Sequence, residues 1–100
     1  MKTFVKNGFA DDRHNVAVRP LRYFEVKGQR CFVYRGEHDR FWPTEYRSGL
    51  AIGMSGETIK DAIVNAKLMT AKWGRKHIEN TVRRMIKKHG AANPDHKGAI

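Results

Sequence analysis

The residues whose types and spacing could do chemistry are concentrated near the end of the chain, where cationic side chains recur at short intervals. The segment from Lys67 to His89 contains eight Lys and Arg and a single acid, Glu79. Soluble surfaces usually mix both signs of charge, so this local excess indicates a surface that meets a polyanion. The residues predicted to contact phosphates are Lys76, Arg83, Arg84, Lys87 and Lys88.

The same segment has the pattern of a two-sided helix. On a wheel of about 100° per residue, its apolar residues fall in one arc of roughly 100° and its cations fill the opposite side. Such a helix can bury the apolar stripe on its own domain and hold the cations out to an anionic partner. The alternative is a face that is Lys-rich only for solubility, and the scarcity of acids disfavours it. The apolar residues are Ile78, Val82, Met85 and Ile86.

A second group of cations lies in the first half of the chain, interleaved with aromatic residues. Guanidinium groups beside aromatic rings suit phosphate contacts and base stacking, and they suit a protein interface equally well. We expect at least half of the aromatic residues to form the core, and Trp42 and Tyr46 to be exposed for contact with a partner. Arg22, Arg35 and Arg47 are predicted to assist the helix in binding nucleic acid.

The sequence lacks the spacings that are typical of enzymes and metal sites. Its five histidines are scattered, without HxxxH, HExxH or CxxC patterns. We therefore predict no catalytic residue, no metal ligand and no cofactor. The enzymatic alternative is a small basic ribonuclease in which His38 would be the acid–base group, with Arg35, Arg40 or Tyr46 beside it.

Composition narrows the class of partner. The 100 residues include 20 Lys and Arg against 10 Asp and Glu, which gives a formal net charge of +10. Such a charge favours nucleic acid, an anionic membrane or an acidic protein surface. The single cysteine, Cys31, cannot form an internal disulfide and is expected to be a buried thiol. Because no segment resembles a signal peptide or a membrane span, we expect a soluble protein of the bacterial cytoplasm.

The predicted elements begin with strands. Residues 1–20 are interpreted as an arm with at most a short edge strand. A first hairpin is predicted to join 21–27 to 30–35 through Gly28-Gln29, in a type II′-like turn. A second hairpin is predicted across Ser48-Gly49, with Pro43 favouring an edge position for its first strand. Its strands are 41–47 and 50–53.

Helices follow the strands. Thr58 and Asp61 have the spacing of a capping box, which predicts a helix start. Gly74 interrupts the apolar periodicity, so we expect a break there and a second helix that ends with Gly90. The predicted fold class is α+β: a small antiparallel sheet of three to four strands, packed by a C-terminal helix broken near Gly74. The predicted core is Phe24, Val26, Phe32 or Val33, and Trp73.

The predicted organisation is thus an arm, one domain and a tail. The arm covers 1–20, and the single α+β domain covers 21–90, with its sheet in 21–53 and its helices in 58–89. Residues 91–100 contain almost no large apolar side chains and are expected to form a flexible tail.

Residues 45–53 have the pattern of a hairpin of the type Tyr/His-x-Ser/Thr-Gly-Leu/Met, and residues 57–66 have that of a helix opening with Thr-x-x-Asp/Glu-Ala. In these two segments the chain resembles small accessory proteins encoded by phages and mobile elements. It also looks like the sheet-then-helix half of double-stranded-RNA-binding domains and of integrase arm-binding domains. The resemblance implies a protein that binds nucleic acid or occupies a host machine, anti-CRISPR-type inhibitors included.

Three functions are consistent with these patterns. The leading hypothesis is a phage-encoded accessory protein that binds the phosphate backbone of DNA or RNA through its C-terminal helix. The alternative is an inhibitor, of anti-CRISPR or host-takeover type, that docks on an acidic protein or a ribonucleoprotein. The ribonuclease is the second alternative. The sequence does not determine the oligomeric state or the preferred nucleic acid.

Overall fold

Strands occupy the first half of the chain and helices the second, as in an α+β protein. The computed structural model describes residues 2–8 and 12–93. The strands are β1 (Thr3–Asn7), β2 (His14–Val18), β3 (Arg22–Val26), β4 (Gln29–Arg35) and β5 (Phe41–Glu45), and the helices are α1 (Ile59–Thr70) and α2 (Arg75–His89).

The strands form two antiparallel sheets, one of β1 and β2 and one in the order β3-β4-β5. The central strand β4 is buried at three successive positions, Cys31, Phe32 and Val33. Successive side chains of a strand point to opposite faces, so such a run requires cover on both faces. The three-stranded sheet is therefore the middle layer, and the fold class predicted from the sequence is confirmed.

The first face of the middle layer packs against α1. Here Cys31 clusters with Val26 and Ile52, and with Ala66 of α1. Cys31 has no solvent exposure, so burial raises the pKa of its thiol, helped by the nearby Glu45 carboxylate. The predicted buried thiol is confirmed.

The second face packs against the two-stranded sheet. Phe32 of β4 clusters with Val5 of β1 and with Tyr46, and Val16 and Val18 of β2 pack around them. The rings of Phe32 and Tyr46 meet edge to face, with centroids 6.2 Å apart. Residues 3–7 and 14–18 thus form a sheet that covers the core, where the sequence had predicted an arm.

Asn93, the last described residue, connects the segment after α2 to β1 and is 1% exposed. Its Oδ1 accepts from the Phe4 amide at 2.8 Å, and its Nδ2 donates to the carbonyls of Phe4 at 2.8 Å and Tyr46 at 2.7 Å. Ala92 is also buried. The start of the predicted tail is therefore packed against β1, and its remainder, 94–100, lies outside the described residues.

The turn between β3 and β4 differs from the prediction by one residue. Val26 pairs with Gln29, so the connecting residues are Lys27 and Gly28. Both have positive φ, 46° and 85°, which is the type I′ turn that matches the twist of paired strands. The unfavourable conformation of Lys27 coincides with a tertiary contact. Its Nζ donates to the carbonyls of Thr70 at 2.6 Å and Ala71 at 3.2 Å, and to that of Trp73, and so caps the end of α1.

The second predicted hairpin forms only in part. After β5, the chain turns through Gly49, whose φ is 72°, and returns beside β5 through two isolated bridges. The returning segment includes Ile52, whose amide donates to the Pro43 carbonyl at 2.9 Å. Pro43 belongs to β5, which is the outer strand of the three-stranded sheet, so the missing N–H of the proline is tolerated there.

The helices begin and end where local signals place them. Thr58 caps α1 by accepting from the Asp61 amide at 3.0 Å. The predicted break is confirmed, since α1 ends at Thr70 and α2 begins directly after Gly74. Gly90, with φ of 82°, ends α2 as predicted.

Candidate nucleic-acid interface

The helix α2 has one apolar side and one cationic side, as its sequence predicts. Ile78 and Val82 are 3% and 6% exposed and hold the helix on the domain. Met85 and Ile86 are half-buried beside them. The cations of the helix are all exposed: Arg75, Lys76, Arg83, Arg84, Lys87 and Lys88.

The stability of the helix itself explains only some of these cations. Arg75 and Lys76 lie in the first turn, which has no acid, and Gly74 supplies no side-chain cap. The N-terminal end of a helix carries partial positive charge, so cations there are unfavourable. Like charges four residues apart, such as Arg84 and Lys88, are unfavourable as well, by about 0.2–0.5 kcal/mol per pair. Lys87 and Lys88 lie in the last turn, where cations are favourable, so only the first-turn cations and the like-charge pairs oppose helix formation.

One acid, Glu79, links the helix to the sheet. Its carboxylate accepts from Nε2 of Gln29 at 2.5 Å and from Nη2 of Arg47 at 3.1 Å. It also accepts from Nε of Arg83 at 3.0 Å, four residues along the helix. Arg47 in turn donates to Oε1 of Gln29 at 3.0 Å. This set of four side chains is called the Glu79 network below.

The Glu79 network favours the ionised form of its acid. The hydrogen bond from Gln29 lowers the pKa of Glu79 below its ordinary value, and Arg47 and Arg83 add to this effect, while burial opposes it. Glu79 is therefore a carboxylate at neutral pH. The side chains of Glu79 and Arg47 are 28% and 24% exposed, whereas that of Arg83 is 72% exposed.

The first turn of α2 lies over the β3–β4 turn. A Cβ on Gly28 would be 3.1 Å from Cζ of Arg75, so this close approach as well as the positive φ favours glycine. Two surface hollows, of about 290 Å³ and 540 Å³, adjoin here and share Gly28, Gln29 and Glu79. Their cationic walls are formed by Arg30, Arg47, Arg75, Lys76 and Arg83.

The structure brings only some of the predicted phosphate ligands together. Arg47 joins the α2 cations through the Glu79 network. Arg35 lies at the far end of β4, about 20 Å along the strand from Gln29, and pairs with Asp39. Arg22 is exposed on β3 and pairs with Val33, also away from the β3–β4 turn. These two arginines are therefore not part of the α2 surface.

The two aromatic residues predicted to be exposed behave differently from the prediction. Tyr46 is only 6% exposed, because the two-stranded sheet covers the face of the middle layer on which it lies. Its predicted exposure was wrong. Trp42 is half-buried, and its Nε1 donates to the Glu37 carbonyl at 3.4 Å. A partner contact by Trp42 stays a prediction.

The residues named for a ribonuclease do not converge. His38 is exposed in a short 3₁₀ turn, Glu37–Asp39. Nε of Arg40 donates to Oγ of Ser55 at 2.7 Å, and its Nη2 donates to the Ser55 carbonyl at 2.9 Å. Tyr46 is buried between the sheets, as described above. In the described ranges, no three His, Cys, Asp or Glu residues are placed to hold a metal ion, and no helix there is long and apolar enough to cross a membrane.

Sequence reasoning missed three contributors to this surface. Glu79 was seen only as an isolated acid, although it ties α2 to Arg47. Arg75 was not selected, although it stands four residues before Glu79 and eight before Arg83, on the same side of the helix. Arg30 was not selected either, and its guanidinium lies 5.1 Å from the centroid of the Tyr46 ring. The four-residue spacing was a visible signal, whereas the Arg30 contact depends on the folded sheet.

Comparisons with known proteins add no assignment: no protein-family model, curated protein or solved structure matches this chain. The geometry and charge of the surface itself are therefore the basis for a functional proposal.

Proposed function

We propose that the protein is a nucleic-acid-binding accessory protein that contacts the phosphate backbone through α2. The observation that carries this proposal is that every Lys and Arg of the helix is exposed while Ile78 and Val82 are buried. The phage origin implied by the sequence resemblance is part of the same proposal.

The dimensions of α2 suit a charged polymer. Its 15 residues extend about 22 Å at 1.5 Å per residue. Over that length B-DNA presents about 13 phosphate charges. Lys76, Arg83 and Lys87 lie within about 40° of one another on the wheel, so they can follow one strand of the backbone. Arg84 and Lys88 widen the surface on one side.

The proposed contacts are all to phosphates. We therefore expect little sequence preference and an affinity that depends strongly on salt concentration. About five phosphate contacts would give a slope near −4.5 for the logarithm of the association constant against that of salt concentration, on B-DNA. Anisotropy titrations with labelled duplex DNA, single-stranded DNA and double-stranded RNA across a salt series measure this slope. If none of the three binds at low salt, the proposal is wrong.

Two matched variants locate the surface. The triple variant Lys76→Gln, Arg84→Gln, Lys87→Gln removes three α2 cations and leaves the Glu79 network intact. We expect it to reduce the slope by about 2–3 and to weaken binding at least about thirtyfold at low salt. The control Lys60→Gln, Lys67→Gln, Lys72→Gln removes the same charge from exposed positions in and just after α1.

The comparison of the two variants decides between a defined surface and general attraction. The α1 control should lose no more than about threefold in affinity, since only the long-range field changes. Equal losses in both variants would contradict an α2 interface. Circular dichroism of both variants should match that of the parent, because all six substituted side chains are exposed.

A further inference from the structure

A second surface of the molecule has a different character. A groove of about 220 Å³ runs between the end of α1 and the apolar side of α2. Leu50 and Ile52, from the segment after β5, lie along it. Its helical walls are formed by Met69, Trp73, Ile78, Val82 and Met85.

The described chain leaves this groove open to solvent. Met69 is 48% exposed, and Leu68 beside it is 67% exposed. Trp73 and Met85 are half-buried. Apolar side chains left in water do not gain the free energy that burial would give them. Contiguous exposed apolar surface of this kind commonly marks an interaction site.

Cations border the groove. Arg84 and Lys88 follow Thr81 and Met85 by three residues, which makes them neighbours of these groove residues on the helix surface. Lys72 directly precedes Trp73 and is exposed as well.

The acid in the groove wall does not offset these cations. Glu45 is 3% exposed, and its two carboxylate oxygens accept from the amides of Arg47 at 2.9 Å and Ser48 at 2.8 Å. Glu45 is thus hydrogen-bonded within the turn that follows β5. An occupant therefore meets an apolar floor with Arg84 and Lys88 along its α2 edge and Lys72 next to Trp73 in the chain.

We infer that this groove docks an amphipathic helix of a partner protein whose apolar stripe is flanked by carboxylates. The apolar residues of that helix would bury Leu68, Met69 and Met85, and its acids would face Lys72, Arg84 and Lys88. An open groove between two helices suits the helix-in-groove mode of recognition. Its volume is below the roughly 300–1,000 Å³ of typical small-molecule pockets.

The charge pattern disfavours two other occupants. In a symmetric dimer formed through the groove, Arg84 and Lys88 of both copies would be brought together, and like charges in an interface are costly. Nucleic acid is better matched by Lys76, Arg83 and Lys87. These three lie about 160° round the helix from the groove side, taken as the midpoint of Thr81 and Met85. The groove and the centre of the proposed phosphate-binding face therefore lie on different sides of α2, with Arg84 and Lys88 between them.

A designed peptide tests the inference with the full chain. The probe is a labelled helical peptide of about 18 residues, with Leu at helical spacing and Glu on its flanks. Two control peptides keep its length: one carries Lys in place of Glu, and one has the same composition in an order that destroys the apolar stripe. We expect the designed peptide to bind with a Kd of about 10 µM at low salt and both controls to bind at least about tenfold more weakly.

Two methionine variants locate the binding site. Met69→Glu places a carboxylate in the groove and should weaken the designed peptide at least about tenfold. Met54→Glu makes the same change at a methionine that is 78% exposed and does not line the groove, and it should cost no more than about twofold. Sedimentation of the protein alone, and competition by duplex DNA against the peptide, complete the experiment.

Several outcomes would overturn the inference. Failure of the designed peptide to bind at about 100 µM would do so. Equal binding of the scrambled peptide, or equal losses in Met54→Glu and Met69→Glu, would show general charge attraction. A dimer that Met69→Glu dissociates would assign the groove to a second copy. If duplex DNA displaces the peptide from a Lys76→Gln, Lys87→Gln variant, which keeps the cations beside the groove, as strongly as from the parent, the groove belongs to nucleic acid.

Discussion

Arg47 donates from Nη2 to the Glu79 carboxylate at 3.1 Å, and this contact joins α2 to the segment that follows β5. The same carboxylate holds Arg83 at 3.0 Å. Glu79 therefore holds two of the arginines that the proposed function assigns to the interface. Within the proposed interface, this acid competes with the nucleic acid.

The first prediction follows from that competition. Glu79→Gln keeps a hydrogen-bond acceptor but removes the charge, which releases Arg47 and Arg83 for phosphate. We expect affinity for duplex DNA to rise about three- to tenfold near 0.1 M salt, with a steeper salt dependence. Anisotropy measures both. Glu57→Gln, at an exposed acid just before α1, makes the same change in net charge, and an equal gain there would contradict the competition.

The second prediction concerns pH. Hydrogen bonding from Gln29, with Arg47 and Arg83, lowers the pKa of Glu79 in the folded protein. A lowered folded pKa means that the carboxylate stabilises the fold above its unfolded pKa, about 4.3, and that this contribution is lost as pH falls through the folded value.

We therefore expect the parent to exceed Glu79→Gln in free energy of unfolding by about 1 kcal/mol at neutral pH. The difference should shrink steadily as pH falls below about 4.3. Urea denaturation at a series of pH values measures it. A difference that stays constant down to the acid limit, or that grows, would refute the role assigned to the network.

Local signals account for the parts of the fold that were predicted correctly. The Thr58 cap, the break at Gly74 and the end at Gly90 each depend on a few adjacent residues and their backbone preferences. The two-sidedness of α2 is local as well, because its period is fixed by the helix. These signals were enough to locate the candidate surface.

Long-range contacts account for what was missed. Tyr46 was predicted to be exposed, and alternation within a strand could not show that β1 and β2 would cover its face. Asn93 connects that cover to the rest of the domain, through a hydrogen bond with Phe4 across 89 positions of sequence. The Glu79 network likewise spans 50 positions from Gln29. No periodicity in the sequence encodes such pairings.

The third prediction concerns Lys27, whose ammonium group caps the carbonyls at the end of α1. Lys27→Met should lower the free energy of unfolding by about 1–2 kcal/mol. Lys67→Met, at an exposed position of α1, should change it by less than about 0.5 kcal/mol.

A glycine at the same position separates the cap from the turn. Lys27→Gly also removes the cap, but it relieves the positive φ of 46°. It should therefore be about 1 kcal/mol more stable than Lys27→Met. Urea denaturation compares the three variants. Parent-like stability of Lys27→Met would mean that the contact contributes nothing.

The fourth prediction tests Asn93 as the connection between β1 and the rest of the domain. Asn93→Ala leaves the amide and carbonyl of Phe4 and the carbonyl of Tyr46 without their side-chain partner in a buried place. Each such loss costs about 1–3 kcal/mol, although relaxation and water entry recover part of it, so we expect destabilisation of about 2–4 kcal/mol in all.

The loss should be largest in the two-stranded sheet. Hydrogen exchange of the β1 and β2 amides should accelerate more than that of β4, since β4 keeps its pairing with both β3 and β5. Asn93→Asp should not rescue the protein, because a carboxylate cannot donate to the two carbonyls that Nδ2 contacts. Asn80→Ala, on the exposed side of α2, is the matched control. Uniform acceleration across both sheets would show instead that Asn93 supports the whole domain rather than the attachment of β1.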